Sequence, residues 1–285
     1  MIAEGNGKMI KYRENRNDII QRVEIDLTRI TVEDRQDIKR RLDEVLNEYD
    51  NILEYDGRSN KLIYKTEVLI PKTINSGKLN LLMVLGNPAV HSVAERMFFS
   101  YEKTRAEGRW KEHRFWRALR DCGVLRFCED IEEPTPKNIE KINSYKRDCL
   151  LNGKYESDFN IFLLPYFSFP TPSDSGVDGI RKIVGKEIFK EMKKFEFQRF
   201  ENIVSGNGIK NVICFQKTNA GKEIIQKAEG KQRGNILNYP VYKIDIASKQ
   251  VTLYSSAPTR RLHTDKGKKI LKCIVADIRK KNRIG

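Results

Sequence analysis

Three short apolar runs, each followed by turn residues and then by helical periodicity, constrain this chain more than any other feature. Leu79 to Leu85, Phe159 to Leu164 and Asn211 to Phe215 are too short for buried helices, so they read as buried strands. Helical segments separate and follow them. Phe115 to Cys122 is one, with Gly123 placed as its C-cap. Gly185 to Val204 is the next, with Ile188, Phe189, Met192, Phe195 and Phe200 mostly on one side, and Ser205-Gly206-Asn207-Gly208 stops it. A helix from Ala220 to Ala228 follows the third run. Val241 to Ile246 and Gln250 to Tyr254 read as two more strands joined by a turn, and Ile270, Leu271, Ile274, Val275 and Ile278 mark a closing amphipathic helix. This alternation predicts an α/β fold: a central, largely parallel sheet of four or five strands flanked by helices, over residues 77–285.

Residues 1–76 read as an N-terminal helical and β appendage. Thr31 and Asp34 form a capping box, and Ile38, Leu42, Val45, Leu46, Tyr49, Ile52 and Leu53 recur at helical spacing, which predicts an amphipathic helix of about five or six turns. A β segment, Lys61 to Leu69, follows and ends before Pro71. The apolar stripe is expected to pack on the main domain. Lys8, Lys11, Arg13, Arg16 and Arg22 would either extend a nucleic-acid footprint or decorate a packed surface.

With 285 residues, the chain can bury a core without disulfide or metal staples. Its five cysteines, Cys122, Cys128, Cys149, Cys214 and Cys273, are odd in number and show no Cys-x-x-Cys pair, so buried thiols in a reducing, cytoplasmic setting are expected. No apolar run approaches the ~20 residues of a membrane span, and the polar N-terminus has no secretory h-region. Lysine and arginine number 54 against 39 aspartates and glutamates, a net charge of +15. Such a surplus favours a polyanionic partner, because each cation set against a phosphate releases a condensed counterion.

Parallel sheets bind ligands beyond the carboxyl ends of their strands. That directs attention to Gly86–Ser92, Pro165–Ser175, Gln216–Gly221 and Ser255–His263. Gly86-Asn87-Pro88 places a polar amide in a turn at a strand end. Phe98 and Phe99 then precede a basic stretch, Lys103, Arg105, Arg109, Lys111 and Arg114, a mixture suited to stacking a base while holding its phosphates. There is no Gly-x-Gly-x-x-Gly and no Gly-x-x-x-x-Gly-Lys-Ser/Thr loop, which leaves little for a nucleotide-cofactor enzyme.

The segment Leu81-Leu82-Met83-Val84-Leu85-Gly86-Asn87-Pro88-Ala89-Val90-His91-Ser92 resembles the first motif of the uracil-DNA glycosylase superfamily, nearest its mismatch-specific uracil/thymine branch. Phe99 stands at the spacing of that family's stacking aromatic, and Arg114-Phe115-Trp116-Arg117 resembles its next helix start. Phe162-Leu163-Leu164-Pro165 falls where the family's second strand leads into a base-recognition loop. Val212 to Ala220 resembles its third strand and turn, and Tyr254-Ser255-Ser256-Ala257-Pro258-Thr259-Arg260-Arg261 resembles the second motif, which grips DNA and wedges into it. The likeness spans roughly residues 79–280.

The resemblance implies a DNA glycosylase, an enzyme of base excision repair that flips out and hydrolytically removes uracil or a related deaminated base. Asn87 would orient the attacking water through its side-chain carbonyl, within the turn made by Gly86 and Pro88. Phe99 would stack on the flipped base, Tyr166 and Phe167 would read its edge, and His91 would sit at the rim or be structural. Ser255 or Ser256 would donate to the base or, better suited to so short a side chain, bind a phosphate. Arg105, Arg109, Arg114, Arg260 and Arg261 would hold the DNA backbone, with Thr259 in the wedge position. Several positions depart from the family: Leu85 stands where Gly is usual, Ser255 replaces His or Asn, Ser256-Ala257 replaces Pro-Ser, and Thr259 replaces Leu. An amide cannot act as a general base, so slow turnover is expected. No cysteine precedes Cys122, so no iron–sulfur cluster, and no other cofactor or metal, is expected. A monomer bound to DNA is expected. Two other readings stay open: a non-catalytic nucleic-acid-binding protein of the same fold, and a small-molecule enzyme acting on a nucleotide or another anion.

Overall fold

The first strands of the chain come from residues whose apolar side chains alternate only in part. β1 (Ile10–Arg13) and β2 (Ile20–Asp26) precede the helix α1 (Val32–Val45), and β3 (Leu53–Asp56) and β4 (Lys61–Glu67) follow it. The structure is a computed structural model describing residues 8–45, 47, 49, 51–103, 110–128, 134–171 and 176–282. The four strands form an antiparallel sheet in the order β1-β2-β4-β3. In β2, Val23 and Ile25 face inward beside Gln21, a buried amide whose Nε2 donates to the carbonyls of Asn15 and Asp18. That polar residue at an inward position hides the strand from a search for alternating apolar residues.

α1 starts as expected, with Asp34 N–H donating to Thr31 Oγ1 at 3.1 Å. It is shorter than expected. Asn51 takes a left-handed φ of 61°, and Leu53 is already in a strand paired with β4. Tyr49, Ile52 and Leu53 are buried all the same, so the apolar spacing continues while the backbone changes state.

The chain then runs through β5 (Leu79–Leu85), α2 (Val90–Ala94), the two-residue strands β6 (Glu102–Lys103) and β7 (Trp110–Lys111), and α3 (Arg114–Asp121). After β8 (Arg126–Phe127) comes α4 (Ile139–Asn152), a helix whose inward stripe includes buried Asn143 and Lys146 beside Ile139, Ile142 and Leu150. Those two polar residues mask its periodicity. Asn143 Nδ2 donates to Ser100 Oγ at 3.0 Å, and Lys146 Nζ reaches Glu112 at 2.6 Å. β9 (Tyr155–Glu156) and β10 (Phe159–Pro165) lead to α5 (Gly176–Gly206), which kinks at Gly185, where φ is 80°. The expected helix start at Gly185 is therefore a kink between two helical stretches. β11 (Asn211–Cys214), a π-turn (Lys217–Gly221), α6 (Lys222–Lys227), β12 (Lys231–Ile236), β13 (Tyr239–Ile246), β14 (Lys249–Ser255) and α7 (Asp265–Lys281) complete the chain.

The central sheet is six-stranded, ordered β10-β5-β11-β14-β13-β12. Its first four strands are parallel, and β13 and β12 add an antiparallel edge, so the sheet is mostly parallel but mixed. The hairpin β13–β14 matches expectation. β12 has no counterpart in the sequence pattern, because its side chains are almost all exposed and leave no apolar periodicity. One face of the sheet buries Leu82, Val84, Leu164, Val212 and Cys214 against α5 and the N-terminal sheet. The other buries Leu81, Met83, Leu85, Leu163 and Ile213 against α3 and α7. Ile10, Val23, Ile25 and Leu42 share a core with Leu82 and Val84, so the described residues before 77 pack against the main sheet. An antiparallel bridge between Leu69 and Leu163 ties the two layers together at the β10 edge. Among the described residues no helix is long and apolar enough to cross a membrane.

Candidate functional site

In chain order the parallel strands β5, β10, β11 and β14 lie as second, first, third and fourth neighbours, so the order reverses between β5 and β11. Crevices at such a switch point are where open α/β sheets hold ligands. The register places Leu85 beside Pro165, and Val84 beside Cys214, which in turn pairs with Ser255. Tyr166, Gly86, Phe215 and Ser256 therefore follow one another across the carboxyl edge of the sheet.

Gly86 is glycine because of what lies against it. A Cβ there would stand 2.6 Å from Gln216 Nε2, so the Gln216 amide occupies the space a side chain would need. The next residue, Asn87, is half-buried, and its Nδ2 donates to Thr171 Oγ1. That bond fixes the amide and leaves Oδ1 as the atom with no partner among the described residues. Backbone pairing holds the two loops together: Thr171 N–H donates to Pro88 O at 3.0 Å, and Val90 N–H donates to Thr171 O at 3.2 Å.

Beyond α2 the chain turns on Phe99, whose φ of 49° is uncommon for an aromatic residue. Ser92 supports that turn. Its Oγ accepts from Phe99 N–H at 3.0 Å and donates to Met97 O at 2.9 Å. Trp116 Nε1 donates to the carbonyls of Phe98 and Phe99 at 2.9 and 3.2 Å. The Phe99 ring stacks on His113 at 4.7 Å and tilts against Phe115 at 4.3 Å. His113 also caps α3, its Nδ1 accepting from Phe115 N–H. Behind Ser92 lies Glu67 on β4, 4% exposed, hydrogen-bonded with Ser92 and carrying one oxygen with no partner among the described residues. Burial pushes this carboxyl up to about 8. Ser92 has a single hydroxyl proton and gives it to Met97, so the matching form of Glu67 is the neutral acid donating to Ser92 Oγ.

Some expected site residues are elsewhere than the sequence implies. Tyr166 and Phe167 do not line an opening. They are 0% and 2% exposed and pack edge-to-face in the core, with Phe167 stacked on Phe189. The reason is a buried ion pair beneath the loop. Arg199 bonds Glu196 at 2.7 Å and donates to the carbonyls of Pro165 and Tyr166. Ser168 N–H donates to Glu196 at 2.6 Å, and Ser168 Oγ meets the Tyr64 hydroxyl at 2.7 Å. The chain after β10 is pulled inward as a result. Ser255 and Ser256 are buried too, at 4% and 0% exposure, so neither hydroxyl meets a phosphate in this arrangement. Ser256 Oγ has no hydrogen-bond partner among the described residues.

Others are exposed at the same end of the sheet. His91 lies on the surface of α2, Arg260 and Arg261 are exposed, and Pro258 and Thr259 are partly so. Arg114 Nη1 donates to Arg260 O at 3.2 Å, so it braces the turn that presents those two arginines. Gly267, in the first turn of α7, lets this turn sit close: a Cβ would overlap Arg261 O and stand 2.9 Å from Leu262 Cα. Arg105 and Arg109 fall outside the described residues. Among the described residues no three His, Cys, Asp or Glu side chains are grouped to hold a metal.

Gln216 and Thr171 lie in loops that the strand ends single out, but nothing in the sequence names them as partners of Gly86 and Asn87. Glu67 carries one signal, a carboxylate next to the apolar run Val68-Leu69-Ile70. No protein-family model matches this sequence, and comparison with curated proteins brings no significant match.

Proposed function

We propose that this protein is a DNA glycosylase that takes a damaged or mispaired base, uracil or a related deaminated base, out of the duplex and hydrolyses its N-glycosidic bond. The observation that carries the reading is Asn87 at the switch point, its amide nitrogen committed to Thr171 and its carbonyl oxygen free to orient a water. N-glycoside hydrolysis builds positive charge on the sugar and negative charge on the departing base, and it requires a placed water. Asn87 Oδ1 is the acceptor for that water. Gln216 Nε2, beside Gly86, is a donor at the same edge for the leaving base. Phe99 and His113, both partly exposed, offer aromatic surface to a flipped base, with buried Phe115 packed against Phe99. Arg260 and Arg261 are exposed cations for the flanking phosphates, in keeping with the net charge of +15.

The burial of Ser255 and Ser256 favours a second reading, a nucleic-acid-binding protein of this fold without catalysis. One experiment separates the two. Labelled duplexes and single strands carrying uracil, mismatched thymine, hypoxanthine or xanthine are incubated with wild type and Asn87→Ala, then cleaved with alkali. Release of one base by wild type, lost in Asn87→Ala, is the expected result. Salt-sensitive binding with no release from any substrate refutes the glycosylase and leaves the binding protein. Weak, salt-insensitive binding refutes both.

A further inference from the structure

The turn that carries Phe99 is held from outside its own loop. Arg96 and Phe99 both take left-handed backbone, with φ of 53° and 49°. Neither is glycine, so the turn is strained, and strain of this kind persists where the surrounding structure over-determines it. Ser92 bonds Phe99 N–H and Met97 O, and Ser92 is in turn hydrogen-bonded with Glu67 of β4. Asp18, in the loop between β1 and β2, forms an ion pair with Arg96. Ile19, just before β2, and Leu69, just after β4, are buried in one apolar cluster with Met97 and Phe98. A hydrogen bond, an ion pair and a shared apolar core therefore reach the same turn from the N-terminal sheet.

The N-terminal partners are themselves fixed. Gln21 Nε2 donates to Asp18 O at 2.7 Å, Asp18 Oδ1 accepts from Ile20 N–H at 3.1 Å, and Val68 N–H donates to Ile19 O at 2.8 Å. From the other side, Arg147 Nη1 of α4 donates to Arg96 O at 3.1 Å. The Asp18–Arg96 pair is a weak source of stability, because the Arg96 side chain is 56% exposed and water screens it. What the pair fixes is the place of Arg96, three residues before the ring that stacks on His113.

We propose that the N-terminal sheet is a positioning element of the Asn87 site, with Asp18 and Glu67 as positioning residues that act through Arg96 and Ser92 to hold the Phe99 ring where it meets a flipped base. The inference rests on the reading of Phe99 as a base-stacking residue and adds to it a role for the N-terminal layer. Neither positioning residue touches the base, so their loss weakens the base contact and spares the phosphate contacts.

The test titrates the full chain with two duplexes that differ at one nucleotide, 2′-fluoro-deoxyuridine opposite guanine in one and a tetrahydrofuran abasic site in the other. The fluorine withdraws electrons from the sugar and blocks base loss, so binding is read without cleavage. The ratio of the two affinities isolates the base: phosphate contacts cancel, and the cost of opening each duplex is the same for every protein. Phe99→Ala should lower the ratio about tenfold. Asp18→Asn keeps the acceptor for Ile20 N–H but loses the ion pair, and Glu67→Leu fills the same buried space without the bond to Ser92; each should lower the ratio about threefold or more. Asp18→Glu and Glu67→Gln can re-form those bonds and should stay within about twofold of wild type. Asp18→Asn also removes a negative charge, so an effect of charge alone would tighten both duplexes and leave the ratio unchanged. Thermal melting checks that each variant is folded. If Phe99→Ala lowers the ratio while Asp18→Asn and Glu67→Leu leave it at the wild-type value, or if the conservative variants lose as much as these two, the positioning role is overturned and the Phe99 reading stands. An unchanged ratio in Phe99→Ala, or a wild type that binds neither duplex, overturns the stacking reading and the inference with it.

Discussion

Replacing Glu67 with glutamine should stabilise this protein, and by an amount that depends on pH. Glu67 is buried with no cationic partner among the described residues, and desolvation raises its carboxyl from 4.5 to about 8. In the unfolded chain the group titrates near its ordinary value. Between pH 4.5 and about pH 8 the folded chain holds a proton that the unfolded chain has released. Stability therefore falls as pH rises, by about 1.4 kcal/mol per pH unit across that window. At pH 7 the accumulated penalty is about 3 kcal/mol, a large share of the ~5–15 kcal/mol that holds a typical domain folded. The glutamine amide would be neutral at every pH, and its Nε2 would donate to Ser92 Oγ as the protonated acid does. Urea unfolding at pH 5, 6, 7 and 8, followed by tryptophan fluorescence, should show Glu67→Gln slightly more stable than wild type at pH 5. The gap should widen to about 3 kcal/mol at pH 7 and level off above pH 8. A gap that stays flat with pH refutes the neutral buried acid. A variant less stable than wild type at pH 7 refutes the match between amide and acid.

Three further outcomes follow from the geometry. Asn87→Asp should speed base release in single-turnover assays by about tenfold or more, because a carboxylate can draw a proton from the water and offset the sugar's positive charge; an unchanged or lower rate in a folded variant counts against the assigned role. The double variant Arg260→Ala/Arg261→Ala should bind duplex more weakly and reduce the salt slope of log K by about 2, whatever the sequence; an unchanged slope removes these residues from the phosphate contacts. Gly267→Ala sets a methyl against backbone, overlapping Arg261 O and 2.9 Å from Leu262 Cα, and should cost about 2–3 kcal/mol by chemical denaturation. Full stability in that variant would show that α7 and the 259–262 turn can separate freely.

Much of this architecture is legible in the sequence. The parallel strands β5, β10 and β11, the helices α3 and α7 and the hairpin β13–β14 all follow local rules of run length, periodicity and capping. The turn at Gly86-Asn87-Pro88 is legible for the same reason, since a strand end followed by turn residues is a local pattern. Where polar residues are buried, those rules lose their signal. β2 hides behind Gln21, and α4 behind Asn143 and Lys146, each bonded to a partner far along the chain or to a loop the sequence does not reveal. β12 is invisible for the opposite reason, since an exposed edge strand needs no apolar face.

Residue order alone carries the class of the fold, the excess of positive charge and the loops in which chemistry could lie. Tertiary structure alone decided which of those loop residues face one another. The Gly86–Gln216 approach, the Asn87–Thr171 bond and the burial of Tyr166, Phe167, Ser255 and Ser256 all depend on the order in which distant strands pair. The neutral state of Glu67 depends on its enclosure at the meeting of β4 and α2, where desolvation outweighs every other influence on its carboxyl. Periodicity and capping are set by neighbours within a few residues, whereas burial and partnership are set by chain segments brought together only when the core closes.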